Sequence, residues 1–341
     1  MKFIEHSNSM YKSNNKYVSH KMKKVRKIII ESVVFILVLL VLVGILSEGA
    51  RNNNSITSLK KSHKLGSYKD YKITYGVSGN GPSMVLFESD IGETLLEWNK
   101  IIQEPLNGVR MIYYDRLGYG GSDVYKKHIS VELQSEILNS LVSNTGYEGN
   151  YILVSEGYGS LIHLKYLENY KDKVDGMIFI NPVVFHKGAD SGYLKSAYEK
   201  LSLNLLKIFS NLGLPRIVNK FFDFFSNPYI ELYEEEVVSR NKDNYISRMM
   251  SRDYYDTVLK ENSSMKRYLK NKNLNDLGVY DIPIIIVDLE KNKSDEYEKF
   301  LKSHFTNLEV IYFEDLNKFS YDNSEYIINL ISNLKSRIDE K

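Results

Sequence analysis

Nineteen consecutive residues, Ile28 to Leu46, read IIIESVVFILVLLVLVGIL, and Glu31 is the one charge among them. About 20 apolar residues cross the hydrocarbon core of a bilayer. The run is apolar on every side of a helix, so it has no soluble partner face. Glu31 lies near one end, within reach of headgroups. Lys21, Lys23, Lys24, Arg26 and Lys27 come directly before the run and fewer cations follow it. That bias predicts a cytoplasmic N-terminus and a large domain on the outer side. A cleaved signal peptide is the competing reading, with Ser47-Glu48-Gly49 offering small residues to a peptidase. The apolar run exceeds the usual ~7–15 residues and the region before it is long, which favours an uncleaved signal-anchor. The expected partition is a basic tail (1–27), a transmembrane anchor (28–46) and a linker (47–65). Residues 51–64 are polar and lack periodicity.

The charge pattern agrees with that partition. The tail holds eight Lys/Arg against one Glu, or +7, and the remaining 37 basic and 42 acidic residues give −5. A nucleic-acid-binding fold would carry the basic groups on the fold itself, so no nucleic-acid partner is expected. The chain has no cysteine, which removes disulfides, thiolate metal sites and a cysteine nucleophile. No metal and no cofactor is expected: there is no His/Asp cluster at metal spacing, no GxGxxG and no P-loop. Glu234-Glu235-Glu236 reads as a solvated helix face.

After the membrane segment, about 290 residues remain, enough for one large α/β domain or two small ones. Tyr71–Val77 alternates like an early antiparallel strand. Met84–Phe87, Arg110–Tyr114, Tyr151–Val154, Met177–Ile180, Ile282–Val287 and Glu309–Phe313 are short apolar runs. Uninterrupted apolar strands belong to a parallel sheet covered on both faces. Helical periodicity fits Val131–Asn144, Leu161–Tyr170 and Glu325–Leu334. The alternation predicts right-handed βαβ units and a doubly wound sheet. From Val183 to about Asp281 no strand signal appears, so a helical cap insertion (183–281) is expected. Its Phe221, Phe222, Phe224 and Phe225 either pack on the main domain or line a surface facing lipid or peptide.

Four blocks then resemble a known family. Asp115-Arg116-Leu117-Gly118-Tyr119-Gly120-Gly121-Ser122-Asp123 resembles the DR-x-GYG-x-SD turn of the α/β-hydrolase superfamily. Val85 to Gly92 followed by Trp98 resembles its VVLESGLG…W segment. Tyr151–Ser160 (YILVSEGYGS) and Tyr166 through Pro182 resemble its YILVGHSYGG…YPDEVAGMVLIDP block. Val310–Glu325 resembles its last strand and final loop. Order and spacing agree over residues 66–335. The resemblance implies an α/β-hydrolase fold, mostly parallel with a helical cap, of the kind found in bacterial membrane-anchored relatives.

The same resemblance implies altered chemistry. The family's nucleophile elbow is written G-x-S-x-G, and here it reads Ser155-Glu156-Gly157-Tyr158-Gly159. Glycine cannot form an acyl-enzyme. The family's histidine falls on Asn317, which cannot act as a base near neutral pH. The acid falls on Asp288, where the local sequence leaves the alignment open. The family's glycine after the strand Met84–Phe87 falls on Asp90, whose charge would oppose an oxyanion. Asp90, Glu156 and Tyr158 are the expected pocket residues, with Glu156 next to the tip and facing solvent.

Other residues offer no clear replacement. Ser155 reads as a small buried residue and Ser160 as part of the following helix. His163 reads as packed, His128 and His304 as surface, and His186 as a residue that overhangs the pocket. The expected function is a membrane-anchored α/β-hydrolase-fold protein that lacks hydrolase activity and binds a lipid, peptide or protein partner. The alternative is an ester or amide hydrolase with a relocated serine nucleophile. Non-hydrolytic catalysis in such families generally keeps the histidine, and Asn317 counts against it.

Overall fold

The computed structural model describes residues 2–104, 106–183, 197–216, 230, 233, 240–272, 276–316 and 319–340, with side chains from Lys21 onward. The chain opens with α1 (Lys2–Ser62). Strands β1 (Lys64–Tyr68), β2 (Tyr71–Gly79) and β3 (Ser83–Glu88) follow, then α2 (Asn99–Gln103), β4 (Val109–Tyr114), α3 (Val131–Asn144), β5 (Tyr151–Glu156), α4 (Gly159–Tyr170) and β6 (Val174–Ile180). Among the described residues, three cap helices come next, α5 (Ala197–Phe209), α6 (Lys242–Met249) and α7 (Arg252–Asn271). Then β7 (Tyr280–Leu289), α8 (Asp295–His304), β8 (Phe305–Phe313), α9 (Phe319–Asp322) and α10 (Ser324–Asp339) complete the order.

The eight strands form one sheet in the order β1-β2-β4-β3-β5-β6-β7-β8. β2 is antiparallel to β1 and β4, and the other pairings are parallel. Period-two alternation splits the apolar strand residues into two cores. Met84 and Leu86, Met177 and Phe179, and Ile284 and Ile286 face one layer with α3, α4 and the cap. Val85 and Phe87, Ile178 and Ile180, and Ile285 and Val287 face the other, with α10. This doubly buried sheet is what the uninterrupted strand signals imply. α3 starts where expected because the Ser130 hydroxyl caps the Leu133 N–H at 3.2 Å.

The expected linker takes another form. Residues 47–62 are not a linker but the continuation of α1, which packs against α6 of the cap. Asn52 accepts from Arg248 Nη1 at 2.8 Å, Ser58 accepts from Asn244 at 3.1 Å, and Leu59 is fully buried. The stretch lacks a periodic apolar stripe because its partners are mostly polar and lie nearly 200 residues further on. β1, which carries no strong strand signal of its own, begins directly after it. Phe221, Phe222, Phe224, Phe225 and Glu234-Glu235-Glu236 lie outside the described residues.

Candidate active site

β3 and β5 are parallel neighbours, with Glu88 opposite Ser155. Their C-terminal ends therefore lie side by side, where open α/β sheets place their sites. β5 ends in a tight turn into α4, with Gly157 at φ +49°. An L-residue adopts that conformation only under strain. Gly159 is equally constrained, since an added Cβ would lie 2.5 Å from the Glu88 carbonyl oxygen.

The loop after β3 sends the Asp90 side chain into this turn. Asp90 Oδ1 accepts from the Tyr158 and Ile91 backbone N–H groups, both at 2.7 Å. A Cβ on Gly157 would lie 2.2–2.5 Å from the Asp90 carboxylate. The aspartate thus fills the volume that a side chain at the tip would need. The positive end of α4 favours an anion here. Burial nevertheless raises the Asp90 pKa, against the stabilising backbone N–H groups and Arg116.

Arg116, from the DR turn, holds this loop in place. Its Nη1 donates to Ser89 O at 2.6 Å and to Glu88 Oε1 at 2.8 Å, and its Nη2 donates to Asp90 O at 2.8 Å. Nε pairs with Glu261 of α7 at 2.8 Å. Glu261 also accepts from Tyr119 and Gln134. Asp115 plays the matching role on the other side of the turn, accepting from Thr74, Leu95 N–H, Gly121 N–H and Tyr245. Arg248 of α6 donates to the Gly118 and Gly120 carbonyls. The motif that marks the fold in sequence acts here as a structural clamp between sheet and cap.

Glu156 is not solvent-facing. It is buried at the end of β5 and accepts from the Ser320 hydroxyl. Burial, reinforced by Glu93, pushes its pKa up to about 8. Burial likewise pushes Glu93 to about 7, and the fully enclosed Glu97 goes well above the ordinary range, by burial first and then by Glu93 and Glu156. Burial and mutual repulsion favour the protonated form of all three carboxyls. Nothing in the sequence singles out Glu88, Glu93, Glu97, Glu261 or Ser320. Glu93 and Glu97, four apart with Leu95 and Leu96 between them, look like the wet edge of a helix until the fold closes over them.

Tyr158 is fully buried, its ring 5.5 Å from the Arg116 guanidinium. Asp288, at the end of β7, is fully buried. Its Oδ2 accepts from Tyr297 at 2.6 Å, and its Oδ1 from Leu289 N–H and Asn292 at 2.7 Å. Asn317 and His186 lie outside the described residues. Ser155 Oγ is buried without a partner, and Ser160 Oγ donates to Gly157 O at 2.6 Å. His163 is enclosed, both ring nitrogens unpartnered, and burial lowers its pKa to about 3. His304 is buried against Phe300, not on the surface, because the end of α8 turns it under the sheet edge. His128 is exposed beside Arg267. Among the described residues the one Ser–His hydrogen bond joins Ser62 to His63, at the end of α1. Among them, too, no three His, Asp or Glu side chains are arranged to hold a metal ion.

A separate cleft of about 240 Å³ lies between α3, α4 and α7, lined by His128, Lys165, Arg267 and Lys272 among others. It does not include the turn at Gly157.

The family model described as the alpha/beta hydrolase fold matches residues 82–315. No curated protein matches the sequence. Solved structures share the fold at low identity. A haloalkane dehalogenase from Agrobacterium tumefaciens C58 is 16% identical, with a TM-score of 0.60 over 81% of this chain and 96% of that one. The juvenile hormone epoxide hydrolase of the silkworm Bombyx mori is 14% identical, with a TM-score of 0.57 over 82% and 76%. The enol-lactonase of Burkholderia xenovorans LB400 is 11% identical, with a TM-score of 0.55 over 80% and 100%.

Proposed function

Because this chain belongs to the α/β-hydrolase fold family and turns its elbow on a glycine, we propose that it works by binding a ligand or partner rather than by hydrolysis. One observation carries the reading: the Asp90 carboxylate accepts from the Tyr158 and Ile91 N–H groups. In this family the N–H after the nucleophile and an N–H from the loop after the third strand form the oxyanion hole. Here an internal anion already occupies both donors, so a developing oxyanion would find no free donor and a like charge. Asn317 in place of the histidine supports the same reading.

α1 is a helix long and apolar enough to cross a membrane. We assign it as a single-pass anchor, the +7 tail in the cytoplasm and the folded domain outside. A lipid, a peptide or another protein at the cell surface is the partner class. No metal, cofactor or nucleic acid takes part in this reading.

The test is labelling of the full-length protein in membranes with a fluorophosphonate that reacts with activated serines, followed by peptide mapping. No labelling beside an active relative supports a binding role. Stoichiometric labelling at one serine sinks it. One contact favours that alternative: Ser320 donates to Glu156, the contact that a serine makes to a general base. Labelling mapped to Ser320 would make that pair the start of a relocated hydrolase mechanism.

A further inference from the structure

α5 carries apolar side chains on two sides. Leu203 and Leu206 pack on the core, and Lys207 pairs with Asp256 of α7. Leu201, Leu205, Ile208 and Phe209 point outward, 57, 41, 63 and 40% exposed. Their spacing of i, i+4, i+7 and i+8 makes one continuous stripe along the helix. A stripe of four large apolar residues on a soluble face marks an interaction surface.

The end of this helix meets α1 at a telling height. The turn Ser210–Leu212 that follows α5 packs against Gly44, where an added Cβ would lie 3.5 Å from the Leu212 backbone. Gly44 belongs to the apolar run Ile28–Leu46. At 1.5 Å per residue that run is about 28 Å long, and Gly44 lies about 3 Å from its end. One turn further on, Glu48 accepts from Arg216 Nε at 3.1 Å and pairs with Arg51. The charges therefore begin where headgroups begin, and the C-terminal end of the α5 stripe lies level with the edge of the hydrocarbon core.

We propose that the outward face of α5 is seated in the interfacial layer of the same bilayer that α1 spans, on the side of the folded domain. The inference rests on α1 being a membrane anchor and holds for either orientation of the span. The cap is then a second membrane contact, bolted to the first through Gly44–Leu212 and Glu48–Arg216. A helix lying in the interface buries its apolar face a few ångströms into the acyl boundary, which is the depth that the Gly44 contact sets. The stripe ends at the turn that packs on Gly44 within the apolar run of α1, so the lipid around that run is the occupant within reach of it.

The absence of cysteine allows a direct test. Full-length single variants Val38→Cys, Leu205→Cys, Ile208→Cys and Lys302→Cys are labelled with an environment-sensitive fluorophore. They are then reconstituted in vesicles of phosphatidylcholine and phosphatidylglycerol. Quenching is read with lipids spin-labelled at shallow or deep acyl positions, and with aqueous iodide. The expected result is blue-shifted emission at 38, 205 and 208, quenched by lipid and shielded from iodide. The shallow label should act more strongly at 205 and 208, and the deep label at 38. Residue 302 should behave as a water-exposed site. If 205 and 208 resemble 302, or are shielded from both lipid and iodide as a contact between copies would make them, the inference is overturned while the anchor stands. If 38 itself escapes lipid quenching, the anchor reading falls and takes this one with it.

Discussion

The exchange between Gly157 and Asp90 can be measured as a coupling energy. Gly157→Ser places a Cβ 2.2 Å from the Asp90 Cγ, so the carboxylate must leave the turn. It then gives up its bonds to Tyr158 N–H and Ile91 N–H, both at 2.7 Å. Hydrogen bonds to a charged group contribute about 1.5–3 kcal/mol each. Allowing the displaced carboxylate to recover part in water, the loss is about 3 kcal/mol, and a serine at φ +49° adds about 1 kcal/mol of strain. Gly157→Ser should therefore cost about 4 kcal/mol. Asp90→Ala removes the same bonds and should cost about 3 kcal/mol. In the double variant the clash is gone and only bond loss and strain remain, about 4 kcal/mol against about 7 if the effects were independent. The coupling is then about 3 kcal/mol. Trp98, the single and fully buried tryptophan, donates to Ser89 beside Asp90 at 2.9 Å, so its fluorescence reports unfolding close to the perturbation. Denaturation of the full-length variants in detergent gives all four corners of the cycle. Additive costs, or a Gly157→Ser cost below about 1 kcal/mol, would refute the claim that Asp90 owns the tip.

The buried carboxyls set a pH dependence of their own. Glu156 and Glu93 hold protons in the fold up to about 8 and 7, whereas the unfolded chain releases them near 4.5. Stability is therefore fullest below about pH 4.5 on their account and falls as pH rises to about 8, by about 1.4 kcal/mol for each pH unit that separates a group's folded pKa from its unfolded one. Glu156→Gln should flatten that fall, measured as Tm against pH; an unchanged profile would exclude a protonated Glu156 in the fold. Arg116→Met strands Glu88 and Glu261 without their counterion and should cost about 3–5 kcal/mol in a denaturant midpoint, with Arg116→Lys recovering only part of it. His163→Leu removes an enclosed, neutral, unpartnered ring. It should change stability by less than about 1.5 kcal/mol and leave its pH dependence between 5 and 8 untouched; a marked change in that range would show a charged histidine.

The apolar run 28–46, the strand runs and the helix at Val131–Asn144 are legible in the sequence because they are set by neighbours within one or two turns of the chain. The elbow is legible for a different reason: Ser155-Glu156-Gly157-Tyr158-Gly159 falls on the family's G-x-S-x-G block within a contiguous stretch of sequence. What fills that elbow is not local. Asp90 and the Tyr158 N–H it binds are 68 residues apart and meet only because β3 and β5 are parallel neighbours. The polar stretch after the apolar run has no helical stripe of its own, and it is helix where α6 docks on it. Glu93, Glu97 and Glu156 carry no sign in the sequence that they hold protons, since a carboxyl's pKa is set by what closes over it. The chain by itself determined its long apolar helix, its sheet and the missing side chain at the turn. The tertiary structure alone decided that an aspartate takes that side chain's place, because only packing brings distant chain segments within a hydrogen bond of each other.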